Sequence, residues 1–166
     1  MWRERSIRGF TLLELCTVLV IVGVLAAIAG PKFLDTPAFN QRGYTDELAA
    51  VIRSSEAAAT ASGCDVRLTI APGTGYDAKL PAAGATCSGG YSLPVPRIDG
   101  TALAGTPPPN ADISRSITLV FGPQGSIVGP LPIANPTNIT VVGSPAGRTR
   151  PLTLQIDALS GFVTVP

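Results

Sequence analysis

Histidine is missing from this chain of 166 residues, and with it the commonest general base and the commonest metal ligand. Charge is scarce as well: 14% of the residues are charged and the formal net charge is +1. No basic stripe is therefore available to track nucleic-acid phosphates. Cysteine occurs only at 16, 64 and 87, without a C-x-x-C pair, so a structural metal site is not expected. Nor does any phosphate loop, nucleophile–base pair or carboxylate dyad stand out. Glu56, Asp65, Asp77, Asp99, Asp112 and Asp157 are scattered among polar or turn positions, where solvation is the default. The expectation is a protein that is not an enzyme and uses no cofactor. What is abundant is glycine (18) and proline (16), the mark of many short elements and turns rather than a helical bundle. The length suits one domain with an appendage, and no internal repeat is visible.

The longest hydrophobic run opens the chain. Met1–Gly9 (MWRERSIRG) is short and polar, with Arg3, Arg5 and Arg8 against Glu4. Phe10–Ala29 (FTLLELCTVLVIVGVLAAIA) is apolar apart from Glu14 and two threonines. Twenty helical residues rise about 30 Å, enough for a hydrocarbon core. Three arginines precede the run and the next is Arg42, which places the N-terminus inside and everything after Pro31 outside. A secretory signal cut at Ala27-Ile28-Ala29 is the alternative. Two features count against it. The run exceeds the usual apolar region of about 7–15 residues, and Glu14 costs several kcal/mol in lipid unless it finds a partner.

The string Gly9-Phe10-Thr11-Leu12-Leu13-Glu14 (GFTLLE), behind a basic leader and at the head of the apolar span, resembles the class III signal of type IV pilins and type II secretion pseudopilins. The resemblance implies cleavage between Gly9 and Phe10 by a membrane-embedded prepilin peptidase, which also N-methylates Phe10. The helix would stay in the mature protein, with Glu14 as its fifth residue and Pro31 where many pilins place a kink. In that family the glutamate pairs with the amino group of a neighbouring subunit and sets its register, here Glu14 with the neighbour's Phe10. The alternative for Glu14 is a hydrated carboxylate at headgroup depth. Cys16 reads as a small apolar residue inside the helix. The implied partners are the peptidase/methyltransferase, other pilin or pseudopilin subunits through the N-terminal helix, and an inner-membrane assembly platform. The implied location is a single-pass bacterial inner-membrane protein with a periplasmic C-terminal domain, drawn into a filament on assembly.

Beyond the span, Asp35-Thr36-Pro37 offers a helix start, with Thr36 as N-cap and Pro37 at the first helical position. From Ala38 to Ser62, Leu48, Val51, Ile52, Ser55 and Ala59 recur at helical spacing, Arg42 and Asp46 mark another face, and Gly63 ends the run. This predicts the outer half of one long helix, bent at Gly30-Pro31 and at Gly43. The period then changes to two: Cys64–Ile70 alternates with Val66, Leu68 and Ile70 inward. Short strands are expected near 76–80 and 91–95, a rigid surface loop at Pro107–Pro109, and strands at 117–121, 126–128, 139–142, 152–157 and 162–165. The fold class is α+β, pilin-like: a long N-terminal helix packed on an antiparallel sheet or small sandwich. The expected divisions are a leader (1–9), a transmembrane helix (10–30), its extracytoplasmic continuation (31–63) and a β-rich domain (64–166).

This order of elements, with looser likeness around Glu47–Arg67 and Ile117–Gly125, is similar to minor pseudopilins of the GspH/FimT type. Cys64 and Cys87 both fall on the outer side, where an oxidising periplasm permits a disulfide worth about 3 kcal/mol; two free thiols are the alternative. Asn138-Ile139-Thr140 matches a glycosylation sequon inside an expected strand. Arg148 and Arg150 form the one basic spot after the span. A solvated loop is its plain reading and DNA phosphate its sharper one, though nucleic acid is not an expected partner without interleaved aromatics. The functional expectation is a minor pilin or pseudopilin. The rivals are a secreted binding domain released after Ala29 and an unprocessed, membrane-anchored receptor for DNA or an exported substrate.

Overall fold

The computed structural model describes residues 11–33, 36–82, 84, 86–87, 89–130, 137–143 and 150–165, with side chains from 27 to 36 set aside. The chain divides into two units, Met1–Thr36 and Pro37–Pro166.

Among its described residues the first unit holds the helix α1 (Leu12–Phe33). Its 22 residues rise about 33 Å, and the helical backbone continues through Gly23, Gly30 and Pro31. Every side chain described on it, from Leu12 to Ala26, is exposed. Among the described residues no helix is long and apolar enough to cross a membrane, so the spanning expectation rests on the sequence run Phe10–Ala29. A second helix is described, α2 (Thr36–Ser62); residues 34 and 35, where the two would join into the single long helix expected from the sequence, lie outside the described residues.

In the second unit, α2 buries one stripe. Gln41, Tyr44, Thr45, Leu48, Ala49, Val51, Ile52, Ser55 and Ala59 are all covered, at the three- and four-residue steps that keep side chains on one face. Strong helix formers (Glu47-Leu48-Ala49-Ala50 and Ala57-Ala58-Ala59) fill its middle and end. Gly63 closes it at φ +66°, and its N–H donates to the Ala59 carbonyl at 3.0 Å, a left-handed cap that needs no Cβ. Truncating Leu48, fully buried, to alanine is worth about 2–5 kcal/mol.

Among the described residues ten strands follow: β1 (Val66–Ala71), β2 (Gly75–Pro81), β3 (Tyr91–Pro94), β4 (Ala104–Gly105), β5 (Ala111–Ile113), β6 (Ile117–Phe121), β7 (Ile127–Gly129), β8 (Thr137–Gly143), β9 (Leu152–Ile156) and β10 (Val163–Thr164). They form two sheets. One runs β3-β2-β1-β6-β7 with β4 also on β2, the other β10-β9-β8-β5, and all pairings are antiparallel. β1 is central and alternates, with Val66, Leu68 and Ile70 buried. Its register sets Leu68 opposite Ala78 on β2 and Leu119 on β6. The ladder starts at Val66 rather than at Cys64, because Gly63 and Cys64 are spent leaving the helix. The inward faces of both sheets and the stripe of α2 share one core. An N–H···O bond from Ile127 to Ala158, 2.9 Å, ties β7 to the end of β9.

Candidate assembly site and polar clusters

At the head of α1, Thr11 lies just outside the helix and its Oγ1 accepts the Glu14 N–H at 3.2 Å. Its carbonyl accepts the Leu15 N–H at 3.1 Å. This is the N-cap half of a capping box, threonine three residues ahead of glutamate. The Glu14 carboxylate sits in the first turn, at the positive end of the helix dipole. Thr17 Oγ1 donates back to the Glu14 carbonyl at 2.9 Å. Around this one acid, Leu12 is 81% exposed, Leu13 75% and Leu15 57%. Gly9 and Phe10, the expected cleavage pair, lie outside the described residues. The cap was missed at the sequence level, although Thr-x-x-Glu ahead of an apolar run is its signature.

In the second unit the structure joins Cys64 and Cys87 in a disulfide, Cα–Cα 4.5 Å. The Asp65 N–H donates to the Cys87 carbonyl at 2.8 Å beside it. Cys16 is free and exposed on α1. Arg148 lies outside the described residues. Arg150 is exposed, and it is its carbonyl that is engaged: Gln41, buried, donates through Nε2 to the carbonyls of Val141 (2.9 Å) and Arg150 (2.8 Å). One amide thus ties the start of α2 to β8 and to the segment ahead of β9. Asn138 is exposed on β8.

A second polar cluster spans α2, β2 and the loop before β4. Tyr76 donates to Glu47 Oε1 at 2.6 Å and accepts from Arg97 Nη2 at 2.7 Å. Arg97 also donates to the Ala104 carbonyl at 3.1 Å. Burial, then the bond to Glu47, holds the Tyr76 phenol above its ordinary pKa. Nearby, Tyr44 is 1% exposed and its hydroxyl has no partner among the described residues. Its pKa is pushed up to about 12, first by burial and then by the negative charges of Asp112 and Glu47. An apolar groove of about 770 Å³ runs beside this cluster, between Ala50, Ser54, Ala57 and Ala61 of α2 and the Val95–Asp99 loop. No local pattern could have joined positions 47, 76 and 97, which meet only through the fold. Among the described residues no group of three metal-ligating side chains forms.

An apolar helix with a single capped acid, followed by a second helix and antiparallel sheets, is consistent with a type IV pilin-like protein. The chain is similar to the type IV narrow pilus major component PilA5 of Thermus thermophilus, with 47% identity over 53 residues, 32% of this chain and 46% of that protein. The match therefore spans about half the length of that relative. No family model matches the chain, and no solved structure does.

Proposed function

We propose that this chain is a filament subunit of the type IV pilin class, anchored through the apolar run Phe10–Ala29 and assembled by packing that helix against its copies or homologues. The observation that carries the proposal is α1, whose side chains from Leu12 to Ala26 are all exposed, with one carboxylate at its head. Such a helix in water would cost about 25 cal/mol for each Å² of apolar surface left exposed, so lipid and neighbouring helices are its natural environment. The likeness to a pilus component over 53 residues supports the same reading. In its finer form, the leader Met1–Gly9 is removed by prepilin peptidase, Phe10 is N-methylated, and Glu14 pairs with the amino group of a neighbour's Phe10. The second unit then lies on the periplasmic side, and the order of elements favours a minor pseudopilin of the GspH/FimT type.

The test is the N-terminus and intact mass of the full chain expressed with and without a prepilin peptidase. A mature chain beginning at N-methylated Phe10 only when the peptidase is present supports the proposal. A chain beginning at Gly30 sinks it, because the helix would then be a discarded signal. With cleavage established, Glu14→Ala is expected to be processed normally and to fail in filament formation.

A further inference from the structure

The face of the first sheet turned away from the core carries a feature that filament assembly does not use. Arg67 on β1 and Lys79 on β2 stand directly opposite each other in the register. Like charges in that position repel and weaken the strand pair. The arrangement is nevertheless built with care. The Arg67 guanidinium lies 4.7 Å above the centre of the Tyr91 ring, and its Nη2 donates to the Tyr91 carbonyl at 3.3 Å. One of its five donors is thus used, and its plane is fixed. Lys79 is held at 2.8 Å by Asp77, both side chains about two-fifths exposed. Two residue pairs along, on the same face, Thr69 stands opposite Asp77. Thr74 gives its proton to the Ala71 carbonyl at 3.2 Å, leaving its oxygen as an acceptor. These side chains, without Tyr91, line a hollow of about 380 Å³ together with Ala71, Gly75 and Tyr76, within the size range of small-ligand sites.

We propose that this hollow binds a uronic-acid residue of an acidic polysaccharide. Its carboxylate would be taken by Arg67 and Lys79 and its ring hydroxyls by Asp77, Thr69 and Thr74. The charge count selects this class. Arg67 and Lys79 against Asp77 leave one net positive charge, enough for one carboxylate per sugar. A polyphosphate chain needs a row of cations along its backbone. Of the two aromatics here, Tyr76 in the lining is buried and Tyr91 beside it has the Arg67 guanidinium over a face of its ring, so neither offers the free stacking platform that single-stranded nucleic acid uses. Asp77, a repulsive element toward phosphate, is a suitable acceptor for a pair of hydroxyls. The inference does not depend on the filament reading.

The experiment is an amide NMR titration of the full chain in detergent micelles with trigalacturonate, beside neutral maltotriose, inorganic phosphate and an oligothymidylate. Saturable shifts at Thr69, Asp77 and Lys79 are expected with trigalacturonate, at a dissociation constant on the order of 1 mM. Arg67→Gln should weaken binding about tenfold or more, as loss of a charged hydrogen bond requires. Arg67→Lys, which keeps charge but loses the fork, and Asp77→Asn should weaken it measurably, and they decide the matter if Arg67→Gln does not fold. Arg115→Gln, at an exposed cation elsewhere, should leave it unchanged. The proposal is overturned by an absence of saturable shifts, by equal binding of maltotriose, by phosphate or oligothymidylate binding as well as the uronate, or by equal loss in Arg115→Gln.

Discussion

Replacing Tyr44 with phenylalanine should make the protein more stable, and the gain should grow at high pH. The ring of Tyr44 belongs in the core, at 1% exposure, but its hydroxyl has no partner among the described residues. A buried, unsatisfied polar group costs about 1–3 kcal/mol relative to water. Tyr44→Phe removes that group and leaves no cavity larger than one oxygen, so a gain of about 1–2 kcal/mol at pH 7 follows. For a domain of this size that is a rise of roughly 3–8 °C in Tm. The pH dependence has a definite sign. Burial pushes the folded phenol up to about 12 from its ordinary 10.0, so above pH 10 the unfolded chain loses its proton first. The native state then binds more protons, and stability falls as pH rises from 10 through 12. The stabilisation from keeping the buried phenol protonated is complete below pH 10 and is lost as pH rises through about 12, a loss on the order of 2–3 kcal/mol. Urea unfolding of both proteins in the same detergent at pH 7, 10 and 11 reads both effects, with absorbance at 295 nm reporting phenolate. A variant less stable than the parent at pH 7 by about 1 kcal/mol or more would refute the reasoning, because the hydroxyl would then be making a bond worth keeping. Parallel losses of stability in the two proteins above pH 10 would refute the electrostatic part.

Gln41→Leu strips the buried Val141 carbonyl and the partly buried Arg150 carbonyl of their shared donor and should cost about 1–3 kcal/mol in urea unfolding. Gln41→Glu should cost more at pH 7, since a carboxylate would face two carbonyl oxygens, and should recover part of that on acidification. Gly75→Ala drives a Cβ into the Gly105 carbonyl at a backbone φ of +88° and should cost about 3 kcal/mol or more, or prevent folding. Gly43→Ala, in mid-helix with nothing within 4 Å of the added methyl, should instead stabilise by about 0.5–1 kcal/mol, read as a higher urea midpoint. Replacing Cys64 and Cys87 together by serine opens a loop of 23 residues' separation. Thermal unfolding should register a loss of about 3 kcal/mol.

The elements that were legible in the sequence are those whose physics is local. β1 announced itself by strict alternation, and its three inward residues are the ones the core buries. β6 falls at Ile117–Phe121, where a β-branched and aromatic run is followed by Gly122-Pro123. The stripe of α2 was readable from Leu48 to Ala59, but its polar end at Gln41, Tyr44 and Thr45 was not. Those three are buried because β8 and its neighbours supply partners or cover a hundred residues away, as the Gln41–Val141 bond shows. β4 and β5, of 2 and 3 residues, carry no period to detect. They exist because β2 and β8 offer open edges: Tyr76 pairs with Gly105 and Val142 with Asp112. The sugar-sized hollow was invisible for the same reason, since Arg67 and Lys79 become neighbours only once β1 and β2 pair.

At the head of α1, magnitudes separate what the helix needs from what Glu14 supplies. The orphan N–H of Glu14 is met by Thr11 Oγ1, a cap worth about 1 kcal/mol that any residue at position 14 would receive. The carboxylate adds at most about 1 kcal/mol of dipole energy near the surface, and among the described residues it has no hydrogen-bond partner. In hydrocarbon, against that gain, an ionised side chain costs several kcal/mol. Thr17 does not close the gap, because its hydroxyl serves the Glu14 carbonyl rather than the side chain. A helix optimised for its own stability would carry leucine or alanine here, as it does on either side. The balance turns if the carboxylate stays hydrated at headgroup depth, or if a cation from outside α1 meets it in the low-dielectric layer. In the second case that cation would have to stand at the depth of the first turn, which is what the proposed pairing with a neighbour's Phe10 amino group requires.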